Sequence, residues 1–394
     1  MFRPTARLAA GALVLALPLA AAAGCGVQKK RTIKAEFSSA SSHLQASKAL
    51  SFSLSLRDAK GALKASAKKD DASNVSDIVL GGKVTVTIDP TGAKSLADLS
   101  AKTDCSAAKK PTPADISASL KKVNLSIVVS DATSALGELR LVDGALFAHA
   151  DLKEIGVVAG KAGVKDFDSQ VDDAVSSADP KFAQALTDAR AGKWLTLDVA
   201  KYADKFADLA KSFTSQFGEP SATSAPKLCA DAKGLSKDLF GAVKPYVKVT
   251  DANDSSADRV LDVNVKVRPA LKAALSVLKA AKGLPFASLL SSIEPTDIDD
   301  NVADGTAHGT ITLKSGHLTQ FAVDIESLRT LNPDAGKTSL AGSFVVLDVD
   351  DAAAPVTAPT DVSSFDVGAL IDTFLQGFSG AGSSTGLGLG TVQG

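Results

Sequence analysis

The side chains best suited to acid–base or metal chemistry are few and scattered along this chain. The sequence contains four histidines, three cysteines and one methionine. None of the histidines lies in an HExxH or comparable spacing, which favours structural or solvent-exposed roles over metal ligation or catalysis. They are His43, His149, His308 and His317. No zinc, haem or iron–sulfur site is indicated, and we expect no cofactor.

The densest group of side-chain oxygens lies near residue 300. Its members are Asp297, Asp299, Asn301 and Asp304. The spacing starts like a calcium-binding loop, but the sixth position is Val302 where such loops have Gly, and the twelfth is His308 where they have Glu. We therefore interpret this segment as a solvated acidic loop and not as a calcium site.

One short motif formally matches that of a serine hydrolase. Gly382 to Gly386 reads GxSxG, yet a nucleophile elbow needs a strand before it and a helix after it, and this match lies in a Gly/Ser-rich terminus. No Gly-rich phosphate loop or dinucleotide fingerprint is present. We therefore expect that the chain is not an enzyme.

The N-terminal segment carries a cysteine with a chemical role. Arg3 and Arg7 precede an apolar run over residues 8–23, which predicts a secretory signal because the run is short and rich in Ala. The four residues Ala22-Ala23-Gly24-Cys25 resemble a bacterial lipobox, in which the cysteine is acylated and becomes the mature N-terminus. The alternative is a secreted protein in which this cysteine is fortuitous. We expect lipidation of Cys25 and a lipid anchor on the extracytoplasmic face of the cell membrane.

Two cysteines remain after the anchor is set apart. Cys105 and Cys229 both lie in polar stretches rich in small residues, and in an exported chain such a pair predicts a disulfide between two surface loops. A redox-active role is the alternative, but the chain has no CxxC.

Composition excludes several classes of function. The chain is 45% hydrophobic and 22% charged, so it can bury a substantial core. Its 43 basic and 44 acidic side chains nearly cancel, and no basic stripe with interleaved aromatics is present, which argues against nucleic acid as a partner. No later segment reaches the roughly 18 to 20 apolar residues that a membrane-spanning helix needs.

Period-two alternation predicts about a dozen strands, and three-to-four-residue spacing predicts several helices. The predicted strands lie at 50–56, 63–67, 84–88, 123–129, 139–148, 193–198, 246–249, 260–267, 306–314, 318–325 and 344–349. The Asp143-Gly144 and Ser315-Gly316 pairs predict hairpin turns. The predicted helices lie at 37–49, at 165–191 with a break before Pro180, at 202–213, and from Pro269, which we expect at the first helical position.

Two predicted helices have an apolar face. One face carries Tyr202, Phe206 and Phe213, and the other carries Leu271, Leu275 and Leu278. By themselves these faces need no explanation beyond packing in a core.

The motifs occur in an order that resembles the LolA/LppX/LprG-type bacterial lipoproteins. After the lipobox come LSFSLSL, VDGALFA, GKWLTLD, VLDVNVKVRPALKAAL, TITLKSGHLTQFAVDI and FVVLDVDDAAAPVTAPTDV. The resemblance covers roughly residues 37–362 and implies an α+β fold. In that fold a strongly curved antiparallel sheet forms a half-barrel, helices cover its concave face, and the space between them holds acyl chains.

The resemblance also implies a domain organisation and a site. We expect a signal peptide over residues 1–24, a lipid-anchored tether over 25–36, and one domain over 37–352 with insertions near 90–118 and 217–233. A tail over 353–394 would hold a short amphipathic helix and a Gly/Ser-rich end. The ligand would contact the two helix faces together with a mobile lip, through Tyr202, Phe206, Phe213, Leu271, Leu275, Leu278, Phe286 and Leu289.

The expected function is that of an envelope lipoprotein that binds a lipid and transfers it, with an envelope transporter as a further partner. The alternative is a structural or signalling lipoprotein whose filled core presents loops to an envelope protein. Composition does not separate the two, because Ala, Val and Leu line a cavity as readily as they fill a core.

Overall fold

A computed structural model of the chain shows an α+β fold built on one large sheet. The structure describes residues 33–69, 80–91, 95–96, 118, 121–161, 166–178, 180–198, 234–235, 237–254, 258–281, 293–332 and 339–364. Twelve strands form the sheet in the order β12-β6-β5-β4-β3-β2-β1-β11-β10-β9-β8-β7. Since β12 and β7 are at its two ends, the sheet is open.

The strands follow the predicted alternation closely. Their bounds are β1 Leu50–Asp58, β2 Lys83–Asp89, β3 Asn124–Ser130, β4 Ala135–Val142, β5 Ala145–Ala150, β6 Trp194–Asp198, β7 Val247–Asp254, β8 Asp258–Lys266, β9 Thr306–Lys314, β10 His317–Asp324, β11 Ser343–Asp350 and β12 Val362–Ser364. The described residues thus contain twelve strands, in agreement with the predicted number of about a dozen.

The described residues contain more helices than the sequence predicted for them. They are α1 Ile33–Ala46, α2 Ala62–Lys69, α3 Leu152–Lys161, α4 Phe167–Ser177, α5 Pro180–Arg190, α6 Val267–Ala280, α7 Pro295–Asn301 and α8 Ile325–Arg329. Residues 237–243 are also helical and lead through a 3₁₀ turn, Lys244–Tyr246, into β7.

Both predicted hairpin turns are confirmed. Asp143 and Gly144 have φ values of 51° and 84°, and Ser315 and Gly316 have φ values of 51° and 83°. Positive φ at both central residues matches the right-handed twist of the flanking strands, so the register is fixed at each turn.

Two meanders make up the sheet. The first meander, β1 to β6, pairs each strand with the next in antiparallel register, and the second meander, β7 to β11, does the same. They join where β1 pairs antiparallel with β11, from Ser51 opposite Asp350 to Asp58 opposite Ser343. The parallel pairing of β12 with β6 makes the sheet mixed, where a purely antiparallel sheet was predicted.

A dense core covers one face of the second meander. It is centred on Leu261, Val263, Ile311, Leu313 and Phe321 of β8 to β10, all at most 3% exposed. Against these strands pack Phe37 and Ala40 of α1, Val243 of the helical stretch 237–243, and Ala270 and Ala274 of α6. Because successive side chains of a strand point to opposite faces, these contacts identify the apolar face of the whole sheet.

The other face of the sheet is polar and carries an extended segment. After β11, residues 351–361 cross to the far edge, where β12 pairs with β6. Along the way the backbone N–H of Val356 donates to Asp89 Oδ2 at 3.0 Å, and Asn124 Nδ2 donates to the carbonyl oxygen of Val356 at 3.1 Å. We call residues 351–364 the strap. The sequence assigned most of it to a tail, but it belongs to the fold.

Several sequence predictions are wrong. The alternation of Leu63, Ala65 and Ala67 predicted a strand, whereas Ala62–Lys69 is helix α2, because Ala, Leu and Lys are strong helix formers. The predicted acidic loop contains α7, Pro295–Asn301, in which the Asp297 side chain accepts from the Glu294 backbone N–H. Helix α6 begins at Val267, which places Pro269 within the first turn, where its missing N–H leaves no hydrogen bond unmade.

Other predictions fall mostly or wholly outside the described residues. They are the signal sequence, the insertions at 90–118 and 217–233, the helix at 202–213, and the short amphipathic helix expected in the tail, over 364–378. Of the first insertion, Leu96 packs on the core of the second meander, and its backbone N–H donates to the carbonyl oxygen of Ser47 at 3.1 Å. The predicted tether ends inside α1, which begins at Ile33.

Candidate functional site

The apolar face continues from the second meander across the first. The strand register aligns its side chains in three rows that run across the strands. One row is Leu54, Val84 and Val129; the next is Phe52, Val86, Ile127, Leu139, Ala148 and Leu195; the third is Leu50, Ile88, Leu125, Leu141, Leu146 and Leu197. All of these residues are apolar, so this face of the first meander offers no ionisable group along the three rows.

Four of these side chains are exposed to solvent. Leu54 is 39% exposed, Val84 38%, Val129 44% and Leu139 44%. They lie on adjacent strands, since Leu54 is opposite Val84, Val84 is opposite Val129, and Ile127 next in register is opposite Leu139. We call these four residues the open strip. Large aliphatic side chains grouped on one face mark a binding surface more often than isolated exposed ones do.

The opposite face of the same strands is polar and internally bonded. Ser53 Oγ lies 2.9 Å from Thr85 Oγ1, Thr87 Oγ1 donates to Ser51 Oγ at 3.2 Å, and Ser126 Oγ donates to Glu138 Oε1 at 2.8 Å. An antiparallel sheet with one polar and one apolar face normally covers the apolar one. The open strip is therefore the unusual side of this meander.

A charged cluster completes the polar face. Burial tends to raise the pKa of Glu138, but hydrogen bonds from Arg140 and Ser126 outweigh it and hold that pKa below its usual value. Arg140 also lies 4.6 Å from the centre of the Trp194 ring, and it donates to the backbone oxygen of Thr357 in the strap. Glu138 and Arg140 are thus paired with each other on the side away from the open strip.

The predicted leucines of α6 lie with the packed core. Leu275 is buried, and Leu271 packs against a cluster formed by Val267, Ala307 and Leu331. Leu278 is half-buried. These leucines therefore pack over the second meander, whereas the open strip lies on β1 to β4 of the first meander.

The remaining predicted site residues lie outside the described residues. They are Tyr202, Phe206, Phe213, Phe286 and Leu289, together with Cys25, Cys105 and Cys229. Their lipid-binding, lipidation and disulfide roles stay predictions.

Sequence reasoning missed the open strip although it identified the strands. Val84, Val129 and Leu139 were recognised as members of half-buried strands, and their exposure depends on what lies above them, which alternation does not encode.

A further apolar depression, lined by Val263 and Val265, lies over the second meander. It has a volume of about 10 Å³, the space of one water molecule.

Two of the four histidines lie together in space. The rings of His43 in α1 and His317 in β10 stack with their centres 4.0 Å apart. His149 contacts Trp194 on the polar face, and His308 Nδ1 lies 2.5 Å from Asn264 Oδ1. Within the described residues no group of three or more His, Cys, Asp or Glu side chains is placed to hold a metal ion.

No described helix has the length and apolar character needed to span a membrane.

Comparison with known proteins gives no relative. No protein-family model, no curated protein and no solved structure matches this chain.

Proposed function

We propose that this protein is a membrane-anchored envelope lipoprotein that binds the acyl part of a lipid on the open strip and transfers it within the envelope. In this proposal the sheet curves into a half-barrel with its apolar face inward, and helices cover that face. The observation that carries the proposal is the solvent exposure of four aliphatic side chains on the apolar face of the sheet. They are Leu54, Val84, Val129 and Leu139.

Burial of these side chains would supply the binding energy. Full burial of one Val or Leu side chain is worth about 1.5 to 3 kcal/mol. Covering four side chains that are each about two-fifths exposed therefore contributes a few kcal/mol, before contacts to the half-buried neighbours are counted. Such a gain permits loading and also release, as transfer requires.

The chemistry of the strip favours hydrocarbon over a protein surface. The exposed residues are Leu and Val, whereas protein interfaces rely on Trp, Tyr and Arg as anchors. The predicted acylation of Cys25 would hold the chain beside membrane lipids and so supply the ligand locally.

The direct test is to look for the ligand. Protein produced in its own host without Cys25 would be examined by native mass spectrometry and then by extraction into organic solvent. We expect a stoichiometric lipid to co-purify. A mass free of ligand, under conditions in which a control lipid carrier keeps its lipid, would contradict the proposal.

A matched pair of variants tests the location of the ligand. Val129 points to the open strip and Val128, the residue before it, points to the polar face. We expect Val129→Asn to weaken binding of a fluorescent fatty-acid probe several-fold and Val128→Asn to leave it unchanged. Equal affinities in the two variants would place the ligand elsewhere.

The second candidate is a scaffold that binds an envelope protein, and the filled core over the second meander favours it. A scaffold would bind neither lipid nor probe and would retain a protein partner when Val129 is changed. In either case we propose no catalysis, and hydrolysis of lipid esters by the purified protein would contradict that.

A further inference from the structure

Helix α1 is fixed to the sheet near both of its ends. Near its beginning, Arg259 Nη1 of β8 lies 2.7 Å from Glu36 Oε2, and Arg259 also forms an ion pair with Asp251 of β7. The hydrogen bond to Asp251 raises the pKa of Arg259 above its ordinary value, and that to Glu36 adds to the effect. The guanidinium of this attachment therefore stays protonated across the ordinary pH range.

The attachment near the other end of α1 is made of histidines. His43, in the last turn, stacks on His317 with 4.0 Å between ring centres and 29° between ring planes. His317 Nδ1 in turn lies 2.6 Å from Asp351 Oδ2, just after β11. One end of the helix is thus held by an arginine, which stays charged, and the other by two imidazoles, a type of side chain that can gain a proton.

We propose that His43, His317 and Asp351 form a pH-sensitive latch that holds the end of α1 at neutral pH and loosens it as the pH falls. Two neutral rings, or one neutral and one protonated ring, stack without repulsion. When both are protonated, two positive charges lie about 4 Å apart, and the single carboxylate of Asp351 offsets only one of them.

Within the described residues, the carboxylate in contact with the pair is that of Asp351. Lys314, opposite His317 in the hairpin, is itself positive, and so is Lys48, two residues beyond α1. Asp350 accepts a hydrogen bond from the backbone N–H of Ala352 at the start of the strap. Glu36 lies two turns away along α1 and is paired with Arg259.

The latch lies close to the border between the packed part of the apolar face and the open strip. α1 contributes Phe37 and Ala40 to the core, and after it the chain enters β1, the strand at which the filled half meets the open strip. Loosening the end of α1 would therefore change the cover of the apolar face at that border. This inference goes beyond the proposed function and holds whether or not a lipid binds.

Hydrogen–deuterium exchange of the α1 backbone tests the latch. Protection factors of the full-length protein would be measured between pH 7.5 and 5, each corrected for the intrinsic exchange rate at that pH. Two unit charges 4 Å apart in water repel by about 1 kcal/mol, which corresponds to about a fivefold loss of protection in the last turn of α1.

Two variants make the test specific. His43→Phe keeps a stacked ring without a titrating group, and we expect protection in α1 to become independent of pH. His149→Gln removes a histidine from the polar face, and the pH dependence of α1 should remain. Unchanged protection in the wild type over this range, or equal pH dependence in His43→Phe, would overturn the inference.

Discussion

The same apolar face is sealed over the second meander and solvent-exposed over part of the first. Leu261 of β8 is fully buried, whereas Leu139 of β4 is 44% exposed, although both are leucines on the same face of one sheet. The difference arises from what packs above them, since α1 and α6 contribute side chains to the core around Leu261. Strand sequence thus determines which face is apolar, and the covering elements determine which part of it can bind.

The largest expected difference between the two meanders is the loss of stability when each of these leucines is truncated. We expect Leu261→Ala to destabilise the protein by about 2 to 5 kcal/mol, because it removes buried methyl groups and leaves a cavity. Leu139→Ala removes a side chain that is already partly in water, and we expect a loss below about 1 kcal/mol. Urea unfolding midpoints measure both, and equal losses would mean that the open strip is covered in solution.

Bound lipid should suppress local opening mainly in the first meander. A lipid that binds the folded protein at about 100 times its Kd adds about 2.7 kcal/mol to the free energy of unfolding. We expect exchange through local opening to slow in β2 to β4, whereas β8 and β9 should gain protection only against global unfolding. A local gain centred on α6 would shift the site toward Leu271, Leu275 and Leu278, and a gain that is uniform over the sheet would contradict a site on the open strip.

The strap should contribute a moderate amount to the first meander. Val356 is 7% exposed and packs with Val142 and Phe147 on the polar side of the sheet. Val356→Ala should lower the free energy of unfolding by about 1 to 2 kcal/mol through the lost burial. The neighbouring exposed Thr357 provides the control, since Thr357→Ala should have little effect; thermal unfolding compares the two.

The smallest expected effect concerns the turn between β3 and β4. Hydrogen bonds from the backbone N–H groups of Thr133 and Ser134, and from the Thr133 hydroxyl, lower the pKa of Asp131 to about 2. Because folding lowers this pKa, the ionised Asp131 carboxylate stabilises the folded protein fully above the ordinary pKa of 3.8. This stabilisation is lost as the pH falls through about 2. A carboxyl NMR titration of Asp131 should show this midpoint, and a midpoint near 3.8 would contradict the hydrogen bonding.

Local signals made much of the fold predictable. The Asp143-Gly144 and Ser315-Gly316 turns specify their hairpins through positive φ, and the alternation of Leu50, Phe52 and Leu54 gives both the strand and its apolar side. In these cases the determining interactions lie within a few residues of each other.

The features that were missed depend on distant parts of the chain. Pairing of β1 with β11, the return of the strap to β6, and the stacking of His43 on His317 each join segments far apart in sequence. The spacing of the four histidines in the sequence matches no motif, so it does not indicate which of them lie together. Likewise the leucines of α6 form an amphipathic stripe whether they line a ligand or fill a core.

The junction of β1 with β11 also imposes an order on how the molecule can be made. Ser51 finds its partner Asp350 only after roughly 300 further residues have been synthesised. Until then one edge of β1 is unpaired, and the first meander can form only without the hydrogen bonds between β1 and β11. Such an edge invites pairing with other chains. Nascent chains truncated before Ser343 should therefore be retained by chaperones or degraded, since completion of the sheet depends on the segment that begins at this residue.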